Sequence, residues 1–107
     1  GSSMLIGFAS APLYQKDAQY YQYQNGGEWI ISVDLGSPAD MIGLLAGDVI
    51  ISVNGNTVTP DTYAMDRAKN NLAAGETVSI AVERNGSIYE GVLSTDPNVI
   101  VPLSRKP

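Results

Sequence analysis

Apolar and polar residues alternate with period two in several short segments of the chain, a pattern typical of β-strands. The clearest segments are 28–34 and 77–84. The pair Asn85-Gly86 follows the second segment and is a strong signal for a tight reversal of the chain. We therefore predict a β-hairpin whose second strand covers 87–94.

Two strands are predicted in the first third of the chain. A mostly apolar run over 4–9 indicates the first of them. In the second, over 28–34, the alternation places Trp29, Ile31 and Val33 on one side of the strand. We expect these three side chains to share one face of a sheet.

A long connecting loop is predicted between these strands, over 14–27. It holds three tyrosines within four positions, four glutamines and a Gly-Gly pair, without helical or strand periodicity. The tyrosines could form a surface for a partner, because tyrosine offers a large contact area at low entropic cost. In the alternative interpretation, which we favour, the loop folds over the strand pair.

One longer helix is predicted from about Pro60 to Leu72. Met65, Ala68 and Leu72 recur at spacings of three and four and form one apolar stripe. Thr59 is a suitable N-cap, and Pro60 suits the first helical position because the missing N–H has no partner there in any case.

The segment 36–55 combines a short helix, a tight turn and a buried strand within twenty residues. Ser37 is placed to cap the helix, with Pro38 at the first helical position. Gly43 suits the left-handed residue that ends a helix. The β-branched run that follows ends in a second Asn-Gly pair, which predicts another reversal.

Size and charge limit the classes of function that the chain can have. With 107 residues, of which 44% are hydrophobic, it can build one core without metal or disulfide support. A net charge of -5 with only six Lys and Arg argues against a nucleic acid partner. No apolar run approaches the length of a membrane span, so we expect none in this sequence.

The chain is expected to contain one domain with short additions at both ends. Residues 1–3, Gly-Ser-Ser, are interpreted as a remnant of tag removal and are left out of the fold argument. The domain is predicted over 4–95. Residues 96–107 contain two internal prolines and a basic end, so we predict an extended, poorly ordered tail or a linker.

The absence of histidine and cysteine removes most catalytic chemistry. Ser-His-Asp and Cys-His arrangements cannot form, and neither can the usual zinc ligand sets or a disulfide. Asp34, Asp40 and Asp48 occupy helix and strand ends, where aspartate usually serves turns and caps. We therefore expect no enzymatic activity of the isolated chain, no cofactor and no metal.

The segment 36–55 resembles the signature of a PDZ domain, in which an SPA tripeptide, a Gly-Leu pair, a Gly-Asp turn and an Asn-Gly turn follow in this order. The resemblance covers about 5–93. Its second anchor is the sequence Leu5-Ile6-Gly7-Phe8, which resembles the GLGF-type carboxylate-binding loop of that family. It implies an α+β fold, a small partly open β-barrel or sandwich of five to six strands flanked by two helices.

The strand order resembles that of a bacterial subgroup of the family. In the animal scaffold type a full strand precedes the loop, whereas here only Met4 and residues 1–3 do. The C-terminal hairpin strand, 87–94, is expected to fill that place. This is the circularly permuted order of PDZ domains in bacterial envelope proteases of the high-temperature-requirement and tail-processing types.

In PDZ domains the successive backbone N–H groups of the loop hold the terminal carboxylate of a peptide, which adds as a strand beside the following strand. The resemblance implies that the donors here are the amides of Ile6, Gly7 and Phe8. Because Pro12 lacks an N–H, the added ladder is expected to stop near Ala11.

The resemblance places the peptide groove between the strand that carries Ala9 and Ser10 and the helix predicted over 60–72. Ile6, Phe8 and Leu72 would line the pocket for the last side chain of the ligand. All three are apolar, so the resemblance implies a ligand with an apolar C-terminal residue.

Two side chains of the helix extend this implied groove. Met65 falls where many animal members carry a histidine that selects Ser or Thr two residues upstream in the ligand. The thioether cannot make that hydrogen bond, which indicates an apolar preference. Lys69, one turn further, is expected to pair with an acidic side chain of the ligand.

The sequence therefore predicts a non-catalytic peptide-binding module that recognises apolar C-terminal or extended segments by β-strand addition. The family resemblance further implies a regulatory or substrate-recognition domain of a larger bacterial protease, located outside the cytoplasm. Its partners would be the C-termini of other proteins and the catalytic domain of the parent protein. The alternative hypothesis is an interdomain or oligomer contact module with an occluded groove.

Overall fold

One antiparallel sheet organises the fold. The computed structural model describes residues 2–3 and 6–107, with side chains described within 6–107. The sheet has eight strands in the order β1-β2-β3-β4-β6-β7-β8, with β5 paired to β4. The strands are β1 Ser2–Ser3, β2 Phe8–Leu13, β3 Gly27–Val33, β4 Val49–Val53, β5 Asn56–Thr57, β6 Val78–Arg84, β7 Ser87–Leu93 and β8 Val101–Arg105.

Three α-helices accompany the sheet: α1 Gln15–Ala18, α2 Pro38–Met41 and α3 Ala64–Ala73, with 3₁₀ turns at Gln19–Tyr21 and Pro97–Val99. The predicted α+β class is confirmed. The described residues hold more elements than the five to six strands and two helices expected: β1 and α1 are too short to show a sequence period, and the prolines of the C-terminal segment concealed β8. No helix within the described residues is both long enough and apolar enough to cross a membrane.

The predicted N-cap of the short helix and the predicted reversals of the chain are confirmed. Ser37 Oγ accepts a hydrogen bond from the Asp40 amide at 3.2 Å and so caps α2. Gly43 has φ +84°, as expected of the left-handed residue after a helix. Asn85 and Gly86 both have positive φ, 51° and 78°, which matches the tight turn between β6 and β7.

Helix α3 begins later than predicted, at Ala64 rather than Pro60. The residues before it form a turn instead, in which the Thr62 hydroxyl and amide both donate to the Thr59 carbonyl at 3.1 Å. Thr59 is therefore not the N-cap. The predicted apolar stripe is confirmed, since Ala68 and Leu72 are buried against the sheet and Met65 is partly buried beside them.

The main core lies between one face of the sheet and helices α2 and α3. A β-bulge shapes this face: Ala9 pairs with Ser32 and Ser10 with Ile30, so Ile31 has no partner on β2. The bulge lets Ile30 and Val33, three residues apart, both pack against the core.

The prediction that Trp29, Ile31 and Val33 share one face was wrong, because the bulge interrupts the alternation. Trp29 packs on the reverse face of the sheet, and Ile31 is 55% exposed.

The segment 14–27 covers the reverse face of the sheet. It contains α1 and a 3₁₀ turn, which correct the prediction of a loop without helix. Ala18 is fully buried and packs with Leu13 and Val49, and Tyr23 and Trp29 flank this small cluster. The favoured interpretation, a loop folded over the strand pair, is confirmed.

Glu83 anchors this covering segment. Its side chain is 1% exposed and accepts hydrogen bonds from the Gln24 amide at 2.8 Å and from both Asn25 nitrogens at 3.0 Å. A buried carboxylate is tolerated only when its acceptor sites are satisfied. These three donors therefore link residues 24 and 25 tightly to β6.

Asp48 and Arg84 form a second buried polar contact. The Asp48 carboxylate accepts from Arg84 Nε at 2.8 Å, from Arg84 Nη2 at 2.7 Å and from the Leu45 amide at 2.9 Å. Arg84 Nη2 also donates to the Gly43 carbonyl at 2.8 Å. The hydrogen bond to Asp48 raises the pKa of Arg84 above its ordinary value, so the guanidinium stays charged.

The C-terminal segment is part of the sheet, which corrects the expectation of a poorly ordered tail over 96–107. Strand β8 pairs with β7, and its Leu103 amide donates to the Ile42 carbonyl at 2.8 Å. Pro102 is tolerated because β8 is an edge strand. A β-carbon at Gly91 would lie 2.6 Å from the Val101 carbonyl oxygen, so glycine permits the close approach.

We predict that Arg84→Ala lowers the free energy of unfolding by about 3 kcal/mol, because it leaves the buried Asp48 carboxylate without its cation. The measurement is urea unfolding followed by Trp29 fluorescence. Lys106→Ala is the matched control: it removes an ion pair with Glu90 whose side chains are 58% and 54% exposed, and it should change stability by less than about 1 kcal/mol. Equal losses in the two variants would contradict the assigned role of Asp48.

Candidate functional site

The predicted carboxylate-binding loop lies directly before β2. Leu5, its first predicted residue, lies outside the described residues. The Ile6 carbonyl accepts from the Ala39 amide at 3.0 Å, and the Gly7 carbonyl accepts from the Asp34 amide at 2.8 Å. In a planar trans peptide the next N–H points opposite to the carbonyl. The amides of Gly7 and Phe8 therefore point away from residues 34–39.

Gly7 is required by the local geometry. Its φ is +90°, a conformation that side chains rarely adopt, and a β-carbon there would overlap the Ser37 side chain. Ser37 is itself fixed, because its hydroxyl lies 2.7 Å from the Asp34 carbonyl and 3.4 Å from the Gly7 carbonyl. The loop is thus held against the N-terminus of α2.

The three residues predicted for the pocket lie close together in the structure. Ile6, Phe8 and Leu72 are each 2% exposed and line one apolar cavity with Met65 and Lys69. The groove is defined here as the space between the outer edge of β2 and the side chains of α3 that line this cavity.

The cavity itself is nearly closed. Its volume is about 10 Å³, room for about one water molecule. Met65 and Lys69 are the long, partly exposed side chains of its lining, whereas Ile6, Phe8 and Leu72 are buried. A ligand side chain can therefore enter only if Met65 or Lys69 moves.

Lys69 places a positive charge at the loop end of the groove. Its Nζ lies 5.7 Å from the centre of the Phe8 ring, a distance compatible with a cation–π contact. The ammonium group thus lies beside the Phe8 ring, whose residue follows the loop directly. Its predicted pairing with an acidic ligand side chain stays a prediction.

Ala9 and Ser10, both half-buried, follow the loop on β2. The outer edge of β2 is partly occupied by β1, which pairs Ser2 with Ala9 and Ser3 with Phe8. Ser2 and Ser3, which the sequence analysis left out of the fold, therefore form a strand at this edge. A peptide that pairs with Phe8 and Ala9 must displace β1.

Sequence reasoning overlooked one polar contact at the groove. Ser10 Oγ donates to Glu28 Oε2 at 2.6 Å. The available signal was the spacing of Glu28 and Ile30, which share a face by alternation. This signal was overlooked because the alternation predicted Trp29, Ile31 and Val33 as the face that packs on the core. Within the described residues, no cluster of three or more acidic side chains could hold a metal ion.

Strand β7 was expected to take the place of the strand that precedes the loop in animal PDZ domains. It pairs with β6 along its full length, and its last residue, Leu93, lines the apolar cavity together with Ile6 and Phe8. The C-terminal hairpin strand thus ends beside the loop.

Comparisons with known proteins agree with this geometry. A family profile described as PDZ domain matches residues 6–91. A probable periplasmic serine endoprotease DegP-like of Bartonella henselae is 40% identical over 78 residues, which cover 73% of this chain but 14% of that protein. The chain thus spans about one seventh of the length of this relative.

Two solved structures share the fold. The PDZ domain of HtrA3, bound to a phage-derived ligand (FGRWV), has a TM-score of 0.61 at 15% identity, covering 94% of this chain and 83% of that one. The HtrA-type protease AlgW, solved with a decapeptide, has a TM-score of 0.60 at 24% identity, covering 95% of this chain and 29% of that one.

We predict that Gly7→Ala destabilises the protein by about 3 kcal/mol, since backbone strain adds to the overlap with Ser37. Gly55→Ala is the matched control: Gly55 also has positive φ, +77°, but its β-carbon would meet nothing within 4 Å. Only the strain, about 1 kcal/mol, should appear there. Urea unfolding measures both, and the same loss at the two positions would refute a packing role for Gly7.

Proposed function

Because the chain belongs to the PDZ domain family, we propose that it is a non-catalytic module that binds C-terminal or extended segments of other proteins by adding them to β2 as a strand. The observation that carries the proposal is the loop at Gly7, with its positive φ and its carbonyls held by Asp34 and Ala39, directly beside an apolar cavity.

The recognition step follows from this geometry. The terminal carboxylate of the ligand accepts hydrogen bonds from the amides of Gly7 and Phe8, with Ile6 as a third donor. Its last side chain enters the cavity between Phe8 and Leu72, which favours an apolar residue. Opening the cavity and displacing β1 both oppose binding, so the affinity is in the micromolar range, about -8 kcal/mol.

The likeness to a periplasmic serine endoprotease supports a substrate-recognition or regulatory role within a larger bacterial protease. In that setting the module acts outside the cytoplasm. It presents bound chain ends to the catalytic domain of the parent protein, which is its second partner. Two proteins of similar fold have been solved with peptides, which supports the assignment of a peptide as ligand.

A second candidate function is an interdomain or oligomer contact with an occluded groove. It is favoured by the pairing of β1 with β2 and by the cavity of about 10 Å³. Its contact surface would be the tyrosine-rich segment, over 14–27. There Tyr20 is 83% exposed and packs edge-on against Tyr21, with 4.9 Å between the centres of the two rings. Binding at this surface would not depend on a free carboxylate.

The test is an NMR titration of the labelled protein with short peptides that end in Val, Leu, Ile, Phe or Ala, each beside its C-terminally amidated form. We expect amide shifts at Gly7, Phe8 and Leu72 with the free peptides only, because the loop binds the carboxylate. Equal shifts with amidated peptides, or changes confined to Tyr20 and Tyr21, would reject the proposal in favour of the contact module.

We further predict that deletion of residues 1–3 tightens peptide binding. A competitor that occupies the edge of β2 for about nine-tenths of the time weakens the apparent affinity about tenfold. Titration calorimetry of the full and shortened chains with one free-carboxylate peptide measures the difference. The double variant Ser2→Ala, Ser3→Ala is the control, because it keeps the backbone of β1 and should bind as the full chain does. Unchanged affinity after deletion would show that β1 does not compete.

A further inference from the structure

A half-buried carboxylate lies beside the groove without a matching cation. Glu28 of β3 lies two residues before Ile30, which is 1% exposed in the main core, so the two side chains share that face. Ser10 pairs directly with Ile30 and therefore faces the same side. Its hydroxyl donates to Glu28 Oε2 at 2.6 Å, so the carboxylate extends from β3 toward β2.

The charge of Glu28 is not compensated within the described residues. The ion pairs found there join Arg84 to Asp48 and Lys106 to Glu90. The Ser10 hydroxyl is the single side-chain donor that contacts Glu28 among them. An ionised carboxylate offers about four acceptor sites, so most of its capacity stays available to a ligand.

The register of β1 shows which ligand residue would face this carboxylate. Ser3 lies opposite Phe8 and Ser2 opposite Ala9, in antiparallel pairing. A ligand in the same register, with its last residue opposite Phe8, has its third-last residue opposite Ser10. Directly opposed residues in a sheet point to the same face. The third-last side chain therefore points to the face that carries Ser10 and Glu28.

The distance suits a long cationic side chain. Neighbouring strands lie about 4.8 Å apart, and the Glu28 carboxylate already reaches Ser10 on β2. The carboxylate therefore lies between one and two strand spacings from the ligand backbone, about 5 to 10 Å. Lys or Arg spans this gap, and the aliphatic stem can lie along Met65 while the charged head reaches the carboxylate. The aliphatic stem thus meets the apolar preference expected at Met65, while the charged head lies beyond it.

The groove carries a positive charge at one end and a negative charge further along. Lys69 lies over Phe8 at the loop end, where the ligand carboxylate would sit, and Glu28 lies further along β2. A ligand with a terminal carboxylate and an upstream cation complements both charges, whereas an acidic residue at the upstream position would face Glu28.

We infer that Glu28 is a specificity-determining residue that selects ligands with Lys or Arg at the third-last position. The inference rests on the proposed peptide-binding function. The occupant of the groove is thus a peptide with a free C-terminus, an apolar last residue and a cationic residue two positions before it.

The experiment uses three N-acetylated peptides that differ only at the third-last position: Ala-Ala-Lys-Ala-Val and the same sequence with norleucine or Glu. Norleucine keeps the aliphatic stem without the charge. We expect the Lys peptide to bind about fivefold more tightly than the norleucine peptide, the upper range for a partly exposed ion pair. The Glu peptide should bind more weakly than both. Calorimetry or NMR titration supplies the dissociation constants.

Glu28→Gln should reduce the Lys preference to less than about twofold, because it keeps the shape and removes the charge. Glu76→Gln is the matched control: Glu76 is exposed after α3, so the full preference should remain. If Glu28→Gln fails to fold, the salt dependence in the unaltered protein serves instead, because an ion pair weakens between low and high salt.

The outcomes distinguish a failure of the proposed peptide binding from a failure of the proposed role of Glu28. If no peptide binds, or amidated peptides bind as well as free ones, the proposed function fails. If free peptides bind and amidated ones do not, but the Lys, norleucine and Glu peptides bind alike, the role of Glu28 is overturned while peptide binding stands. A Lys preference that survives in Glu28→Gln, or that is insensitive to salt, also overturns it.

Discussion

The buried pairing of Asp48 with Arg84 is the contact on which the placement of the loop depends. It joins the turn before β4 to the end of β6, and the same guanidinium donates to the Gly43 carbonyl after α2. At the other end of α2, the Ala39 amide donates to the Ile6 carbonyl. A short helix of four residues has little stability of its own. Its position, and with it the direction of the loop amides, is therefore set by hydrogen bonds at both ends.

How much of the fold the sequence predicted depends on how local each feature is. The cap at Ser37 and the reversal at Asn85-Gly86 follow from the conformational preferences of a few neighbouring residues, and both were predicted. The bulge at Ile31 was not, because it is decided by the pairing of β3 with β2, whose residues are distant in the sequence. Strand β8 was missed for a related reason, since Pro97 and Pro102 indicate irregular chain until the open edge of β7 is known.

The candidate site shows the same division. The family pattern located Ile6, Phe8 and Leu72, which the fold brings to one cavity. It gave no information on the free space in that cavity, because a volume depends on the rotamers of Met65 and Lys69. Nor could it identify Glu28, whose direction follows from the strand register. Recognition features shared by a family are thus readable from motifs, while those that distinguish one member depend on packing.

Strand β1 sets a threshold for occupancy of the groove. Because it belongs to the same chain as the strand it covers, its local concentration does not fall on dilution, and a competitor joined to its site by a few residues has an effective concentration of about 1 mM. A chain end in solution must overcome this constant competitor before it is bound. The groove would thus respond little to sparse, weakly pairing chain ends and would fill when such ends are abundant or are presented several at a time. Because residues 1–3 are interpreted as a remnant of tag removal, the groove of the parent protein would lack this competitor, and an affinity measured on the chain with β1 is a lower bound for that groove.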